Sequence, residues 1–205
     1  MKPRKQAVVF SILFLLLVLP PMVYFYVTRG FNTFIKLEVI GQEDHKIADF
    51  SFINQNNEIV VNDSLKDNIY IANFFFTSCP TICPIMSANM LTLYDDFKGE
   101  PNLNFLSHTI DTRHDSVKVL KRYSTKLGVS SDRWHFVTGP KDDIYGIAKS
   151  YLVSAKEDKN SPGGYIHSGA LILVDGQGRI RAYYDGTKEE DIVKMKRAIK
   201  AILSQ

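Results

Sequence analysis

Between residues 69 and 84 the chain passes from a run of large apolar side chains directly into both of its cysteines, and few folds accommodate that order. Residues 69–76 read Ile-Tyr-Ile-Ala-Asn-Phe-Phe-Phe. A continuous apolar run of this length is the pattern of a central strand covered on both faces. Thr77-Ser78-Cys79-Pro80-Thr81-Ile82-Cys83-Pro84 follows, and then apolar residues recur at helical spacing from 85 to 97. The two thiols therefore stand where a buried strand hands over to a helix. Pro84 suits the first helical position, where a missing N–H is no loss, which puts Cys83 at or near the N-cap. There the free N–H groups and the helix dipole favour thiolate at Cys83.

Each cysteine precedes a proline, which disfavours helical geometry at both, so the spacing predicts a tight loop capping the helix. With three residues between them, the sulfurs can reach disulfide distance or share one metal ion. Soft-metal binding and thiol–disulfide exchange are the functional readings. A structural disulfide is the plainer one, although closing so small a loop stabilises little by the chain-entropy argument.

Upstream, Lys2, Arg4 and Lys5 precede a run from residue 7 to 27 in which Ser11 is the only conventionally polar side chain. About 20 apolar residues span a bilayer, and the basic flank predicts a cytoplasmic N-terminus. Pro20 and Pro21 predict a kink, which a membrane helix tolerates. No small-x-small cleavage pattern follows, so an anchor is read in preference to a signal peptide. Residues 1–28 thus read as a cytoplasmic stub and transmembrane anchor, 29–47 as a tether, and 48–205 as one domain with its own core. Four of the 25 Lys and Arg lie before Gly30, leaving 21 against 22 acids in the remainder. A near-neutral domain disfavours a nucleic-acid partner.

Within the domain, residues 50–61 read as two short strands about Asn54-Gln55-Asn56-Asn57. Residues 103–110 form a further strand candidate, followed by a helix that Asp115 or Ser116 caps and Gly128 ends. A third central strand spans 134–137, and Pro140 opens a helix reaching Tyr151. The polar stretch 154–164 ends in Pro162-Gly163-Gly164 and reads as a mobile loop. Residues 166–174 and 179–184 flank Asp175-Gly176-Gln177-Gly178, a hairpin signal, and 188–203 form the last helix. Strands and helices alternate in the middle and a hairpin ends the sheet, so the class is α/β with a mixed sheet. Met86 and Met90 read as core filling at helical spacing rather than as metal-binding thioethers.

In such a sheet, ligands gather at the carboxyl ends of the strands. The cysteines and Asp111 both follow strands directly. Taken singly, His45, His108, His114 and His135 read as surface or core rings. His167 differs, because the Gly-Gly loop before it lets the backbone approach a neighbouring element. Two cysteines and one histidine form a coherent ligand set for copper, although spacing alone does not decide whether His167 joins it.

The cysteine motif, Asp111-Thr112-Arg113-His114-Asp115, residues 134–139 and Tyr165-Ile166-His167-Ser168 stand in an order that resembles the Sco/SenC family from about residue 48 onward. That family comprises membrane-anchored, thioredoxin-like copper proteins that help assemble the CuA centre of cytochrome c oxidase. The resemblance implies a thioredoxin-like mixed sheet flanked by helices, with an N-terminal transmembrane helix. It implies Cu(I) and Cu(II) held by Cys79, Cys83 and His167, with Asp111 as a polar neighbour. The implied activity is that of a copper chaperone for the CuA-bearing oxidase subunit or another copper protein. The implied place is the bacterial inner (cytoplasmic) membrane, single-pass, with the C-terminal domain outside the cytoplasm. The alternative is a thiol–disulfide reductase whose redox pair is Cys79 and Cys83 and in which His167 matters little. Two positions depart from the family pattern. Ile166 stands where an Asp is common, removing a carboxylate that could orient the imidazole, and His114 replaces an acidic or small polar residue.

Overall fold

A computed structural model of the protein describes residues 3–33, 37–42, 44–130, 132–158 and 161–204. The N-terminal apolar run forms two helices, α1 (Pro3–Leu17) and α2 (Leu19–Thr33), which part at Val18. The break falls where the proline pair was expected to bend the chain, since Pro20 and Pro21 have no N–H to donate to the preceding turn. No helix among the described residues is long and apolar enough to cross a membrane.

The domain is built on one mixed sheet. It opens with a hairpin, β1 (Ser51–Asn54) and β2 (Ile59–Val61), turning through Asn57 at positive φ. β3 (Ile69–Phe75) is buried along its whole length, as its composition requires. Its buried amide is satisfied internally: Ser107 Oγ donates to Asn73 Oδ1 at 2.6 Å, and Trp134 Nε1 donates to Ser107 Oγ. The remaining elements follow in chain order: α3 (Ile82–Asp96), β4 (Leu103–Thr109), α4 (Val117–Leu127), β5 (Trp134–Thr138) and α5 (Lys141–Ser150). After them come β6 (Ala155–Glu157), β7 (Tyr165–His167), β8 (Ala170–Val174), β9 (Ile180–Asp185) and α6 (Glu189–Leu203). The seven-stranded sheet has the order β2-β1-β5-β4-β3-β8-β9, with β3, β4 and β5 parallel and the rest antiparallel.

Helices complete the core. Met86 and Met90 of α3, Leu120 of α4, Ile144 of α5 and Met195 of α6 are fully buried in it, each contributing about 1.5–3 kcal/mol of transfer energy. The two methionines are thus core filling, as their spacing indicated. α4 also shows local signals at work, with extended Ser116 at its N-cap and left-handed Gly128 at its C-cap.

Three expectations need correction. The segment read as a tether is, from residue 37, a strap along the edge strand β9. Ile40 N donates to Ile180 O at 2.8 Å, Ile47 N donates to Gly178 O at 2.9 Å, and Arg181 donates to Leu37 O. An edge strand leaves carbonyls unpaired, and this segment bonds one of them at Ile180 and another at Gly178, in the turn just before β9. The stretch 154–164, read as a mobile loop, contains β6, which pairs antiparallel with β7 so that Ala155 faces His167 and Glu157 faces Tyr165. Residues 159 and 160 of that stretch lie outside the described residues. Finally, the strand read over 166–174 is broken at Ser168 and Gly169, where Ser168 Oγ accepts from Ala170 N and Gly169 O accepts from Gly186 N. Those bonds engage the backbone where β7 leaves the main sheet, one of them local and the other reaching across to Gly186.

Candidate metal centre

The cysteine loop is fixed before it reaches the first thiol. Beyond β3, Phe76 remains buried, and Thr77 donates its N–H and its hydroxyl to the Asp115 carboxylate at 3.0 and 2.5 Å. Thr109 Oγ1 donates to the same carboxylate at 2.5 Å, and Asp115 is 1% exposed. Three charge-assisted bonds to one buried acid hold the loop to the end of β4. Cys79 N then donates to Phe76 O at 3.2 Å, closing a turn.

α3 begins earlier than its pattern indicated. Thr81 is the N-cap, so Cys83 lies inside the first turn and Pro84 is the third helical residue. The proline is tolerated because the first four N–H groups of a helix have no partner within it. Both thiols are free and buried, Cys79 at 8% exposure and Cys83 at 1%.

This geometry reverses the expected roles of the sulfurs. Burial pushes the Cys83 thiol far up, with the Phe76 main chain opposing and Cys79 and Asp115 adding to the rise. Partial burial also works against ionising Cys79, but the main chains of Thr81 and Cys83, together with the Cys83 thiol, bring its pKa below that of an ordinary thiol. The helix N-terminus stabilises the sulfur that faces its N–H groups from outside, not the one carried within the turn.

The third group arrives on the β6–β7 hairpin. His167 Nε2 lies 3.3 Å from Cys83 Sγ, and the ligand atoms of Cys79, Cys83 and His167 all fall within 4.8 Å of one another. Metal–ligand bonds of roughly 2.0–2.3 Å place the ligands of a trigonal site about 3.5–4 Å apart, so small adjustments would close this set on one ion. His167 Nδ1 is 3.1 Å from Ser168 O. With Nδ1–H donating there, the Nε2 lone pair faces the thiols, the tautomer a metal needs. Burial lowers the ring's pKa against the opposing Ser168 bond, which favours the neutral ring. The orienting acceptor that Ile166 cannot supply is therefore the Ser168 carbonyl.

Other sequence candidates lie elsewhere. Asp111 is buried, and its carboxylate accepts from Tyr165 OH at 2.8 Å and meets His114 Nδ1 at 2.8 and 2.9 Å. It thus stands behind the hairpin rather than among the ligand atoms. His45 Nε2 meets Ser150 O, His135 Nδ1 lies near Asn54, and His108 is enclosed by aromatic rings. Asp115, Tyr165 and Ser168 stood within the sequence motifs, but sequence reasoning gave none of them its role at the site. Asp115 was read as a possible helix cap, and nothing local tied it to Thr77.

A mixed sheet of thioredoxin-like form, with a thiol pair where its central strand gives way to a helix and an imidazole brought against them, defines a thioredoxin-like protein with a soft-metal or thiol-redox centre. The SCO1/SenC family profile matches residues 39–204. Among curated proteins the chain is 32% identical over 156 residues to a SCO1 protein homolog of Bacillus subtilis (strain 168), covering 73% of this chain and 80% of that one. It also superimposes on solved structures. One is a SCO1/SenC family lipoprotein from Bacillus anthracis, with TM-score 0.72 and 28% identity, covering 78% of this chain and 96% of that one. Another is BsSco, described as a member of the Sco family of cytochrome c oxidase assembly proteins and studied for a disulfide switch. It has TM-score 0.65 and 28% identity, covering 81% of this chain and 99% of that one. The protein belongs to the SCO1/SenC family.

Proposed function

We propose that the protein is a membrane-anchored copper chaperone that loads or prepares the CuA centre of cytochrome c oxidase. One observation carries this reading: two thiols and one imidazole, from a loop, a helix and a hairpin, converge within 4.8 Å. Thiolates suit Cu(I), and an imidazole extends the site to Cu(II). Cys79 and Cys83 hold Cu(I), and His167 Nε2 completes the Cu(II) site. Because the three ligands sit on separate elements, an acceptor's ligands can replace them one at a time, which suits delivery over permanent storage. The oxidase as destination is supported by family membership and by the description of BsSco. Placement at the bacterial inner membrane, with the domain outside the cytoplasm, rests on the apolar run 7–27 behind Lys2, Arg4 and Lys5. Retention of the full chain in membranes after alkaline extraction tests that part.

The copper reading is tested by loading the full chain with one equivalent of Cu(II) and comparing it with His167→Ala. Wild type is expected to show thiolate-to-Cu(II) charge-transfer absorption that the variant loses while its thiols still oxidise and reduce. An unchanged spectrum in the variant excludes His167 as a ligand.

A second reading, thiol–disulfide reductase, is favoured by the unequal thiols. Cys79, with the lowered pKa, would attack a partner disulfide, forming a mixed disulfide and releasing one partner thiolate. Cys83 would then displace the second partner thiol, leaving Cys79 and Cys83 joined and the partner reduced. A wild-type protein that has no copper affinity yet reduces a partner disulfide selects this reading.

A further inference from the structure

The hairpin that carries His167 is too small to hold itself in place. β6 and β7 pair over three residues each, they form a sheet of their own, and β6 is largely exposed. An isolated two-stranded hairpin is at best marginally stable, so what presents His167 to the thiols is the hairpin's docking on the main body. Among the described residues, the docking of the hairpin, apart from the His167 ring itself, runs through Glu157, Gly163 and Tyr165. Lys141 Nζ and Arg113 Nη2 meet Glu157 Oε1 at 2.8 and 3.9 Å, an exposed arrangement of little strength. Gly163, at φ +78°, lies against the Phe76 ring. The Tyr165 ring packs on that same ring at 5.1 Å. Lastly, Tyr165 OH donates to Asp111 Oδ1 at 2.8 Å.

Of these, the last alone is a hydrogen bond to a buried carboxylate, where water screens it least. Its acceptor is rigid: Asp111 is 3% exposed, follows β4 at the carboxyl end of the sheet, and is held by Thr109 Oγ1 through its own N–H and by His114 through its carboxylate. Residues two apart on a strand share a face, so Tyr165 and His167 present their side chains on the same side of β7. Both meet Phe76, whose ring centroid is 5.8 Å from that of His167. Phe76 in turn leads into Thr77 and the cysteine loop.

We propose that Tyr165 is the positioning residue of the metal centre: its hydroxyl, bonded to Asp111, locks β7 so that the imidazole of His167 is held toward Cys83. This rests on the reading of His167 as a Cu(II) ligand. The hydroxyl acts on the imidazole arm alone, because the cysteine loop is held separately by Asp115. Tyr165 therefore tunes Cu(II) retention, which needs the imidazole, apart from Cu(I) retention, which two thiolates can provide.

The test compares full-length wild type, Tyr165→Phe and His167→Ala. In the metal-free protein, hydrogen exchange at residues 155–157 and 165–167 is expected to quicken about tenfold in Tyr165→Phe, with exchange in β3 and β4 unchanged. With metal, Tyr165→Phe is expected to bind Cu(II) about tenfold more weakly with an altered charge-transfer spectrum, and to keep wild-type Cu(I) affinity against a competing chelator. Wild-type exchange and Cu(II) spectrum in Tyr165→Phe would overturn the proposal, and so would equal losses of Cu(I), Cu(II) and global stability. If His167→Ala also keeps the wild-type spectrum, the metal reading fails along with the positioning role. If only Tyr165→Phe keeps it, the positioning role alone fails.

Discussion

His167 Nε2 stands 3.3 Å from Cys83 Sγ across 84 positions of sequence. The contact joins the least ionisable sulfur of the pair to a ring whose free lone pair is aimed at it, since the other nitrogen is committed to Ser168 O. Metal binding at such a site displaces a proton from Cys83, so occupancy is expected to strengthen as pH rises.

The two thiols should differ in reactivity. The Cys79 pKa lies below that of an ordinary thiol while burial keeps Cys83 protonated. The thiolate is the nucleophile, so brief treatment of the reduced, metal-free protein with iodoacetamide is expected to label Cys79 first across the neutral range. Peptide mass spectrometry reads this directly, and preferential labelling of Cys83 would contradict the assigned electrostatics.

Replacing Asp115 with Ala should be severe for its size. The change strands the Thr77 N–H and leaves the hydroxyls of Thr77 and Thr109 without their acceptor, all beside the core. A loss of about 3 kcal/mol is expected, measured as a lower urea midpoint at unchanged slope. A variant as stable as wild type would show that the loop is held by other means.

Acid stability should be governed in part by His108. Its ring stacks on Phe74 at 4.9 Å, neither nitrogen has a well-formed hydrogen bond, and burial lowers its pKa from 6.5 to about 3, tempered only by the Asn73 main chain. The unfolded chain takes up a proton below 6.5, whereas the folded one does so only near 3. Stability is therefore undiminished above 6.5 and falls by up to about 1.4 kcal/mol per pH unit between 6.5 and 3. His108→Phe is expected to flatten that slope in denaturation curves taken at a series of pH values.

The strap should loosen when Arg181 is lost. Arg181 bonds both Asp175 Oδ2, at 3.0 Å, and Leu37 O, joining the strap to the turn between β8 and β9. In Arg181→Ala the amides of Ile40 and Ile47 are expected to exchange about tenfold faster, while those of β3 keep wild-type protection. Unchanged protection at Ile40 would mean that the backbone bonds to β9 suffice.

Much of the fold was legible because its signals are local. The apolar run of β3, the caps of α4 at Ser116 and Gly128, and the turn at Asp175 each lie within one element and its flanks. The hairpin of β6 and β7 was hidden because three-residue strands leave no period to read, and a glycine pair looks alike in a loop and a tight turn. The strap was hidden for a similar reason, since its bonds run through backbone atoms and carry no side-chain pattern.

By itself the sequence determined that a thiol pair would follow a buried strand, and that the family motifs would bring a histidine into play. Only the tertiary structure decided which thiol ionises more readily, which nitrogen of His167 faces Cys83, and which acid holds the loop. Those properties depend on burial and on partners distant in the chain, as with Thr77 and Asp115, 38 positions apart. A local pattern selects a helix or a strand, but a proton's affinity and a ring's orientation are set by whatever the fold packs against them.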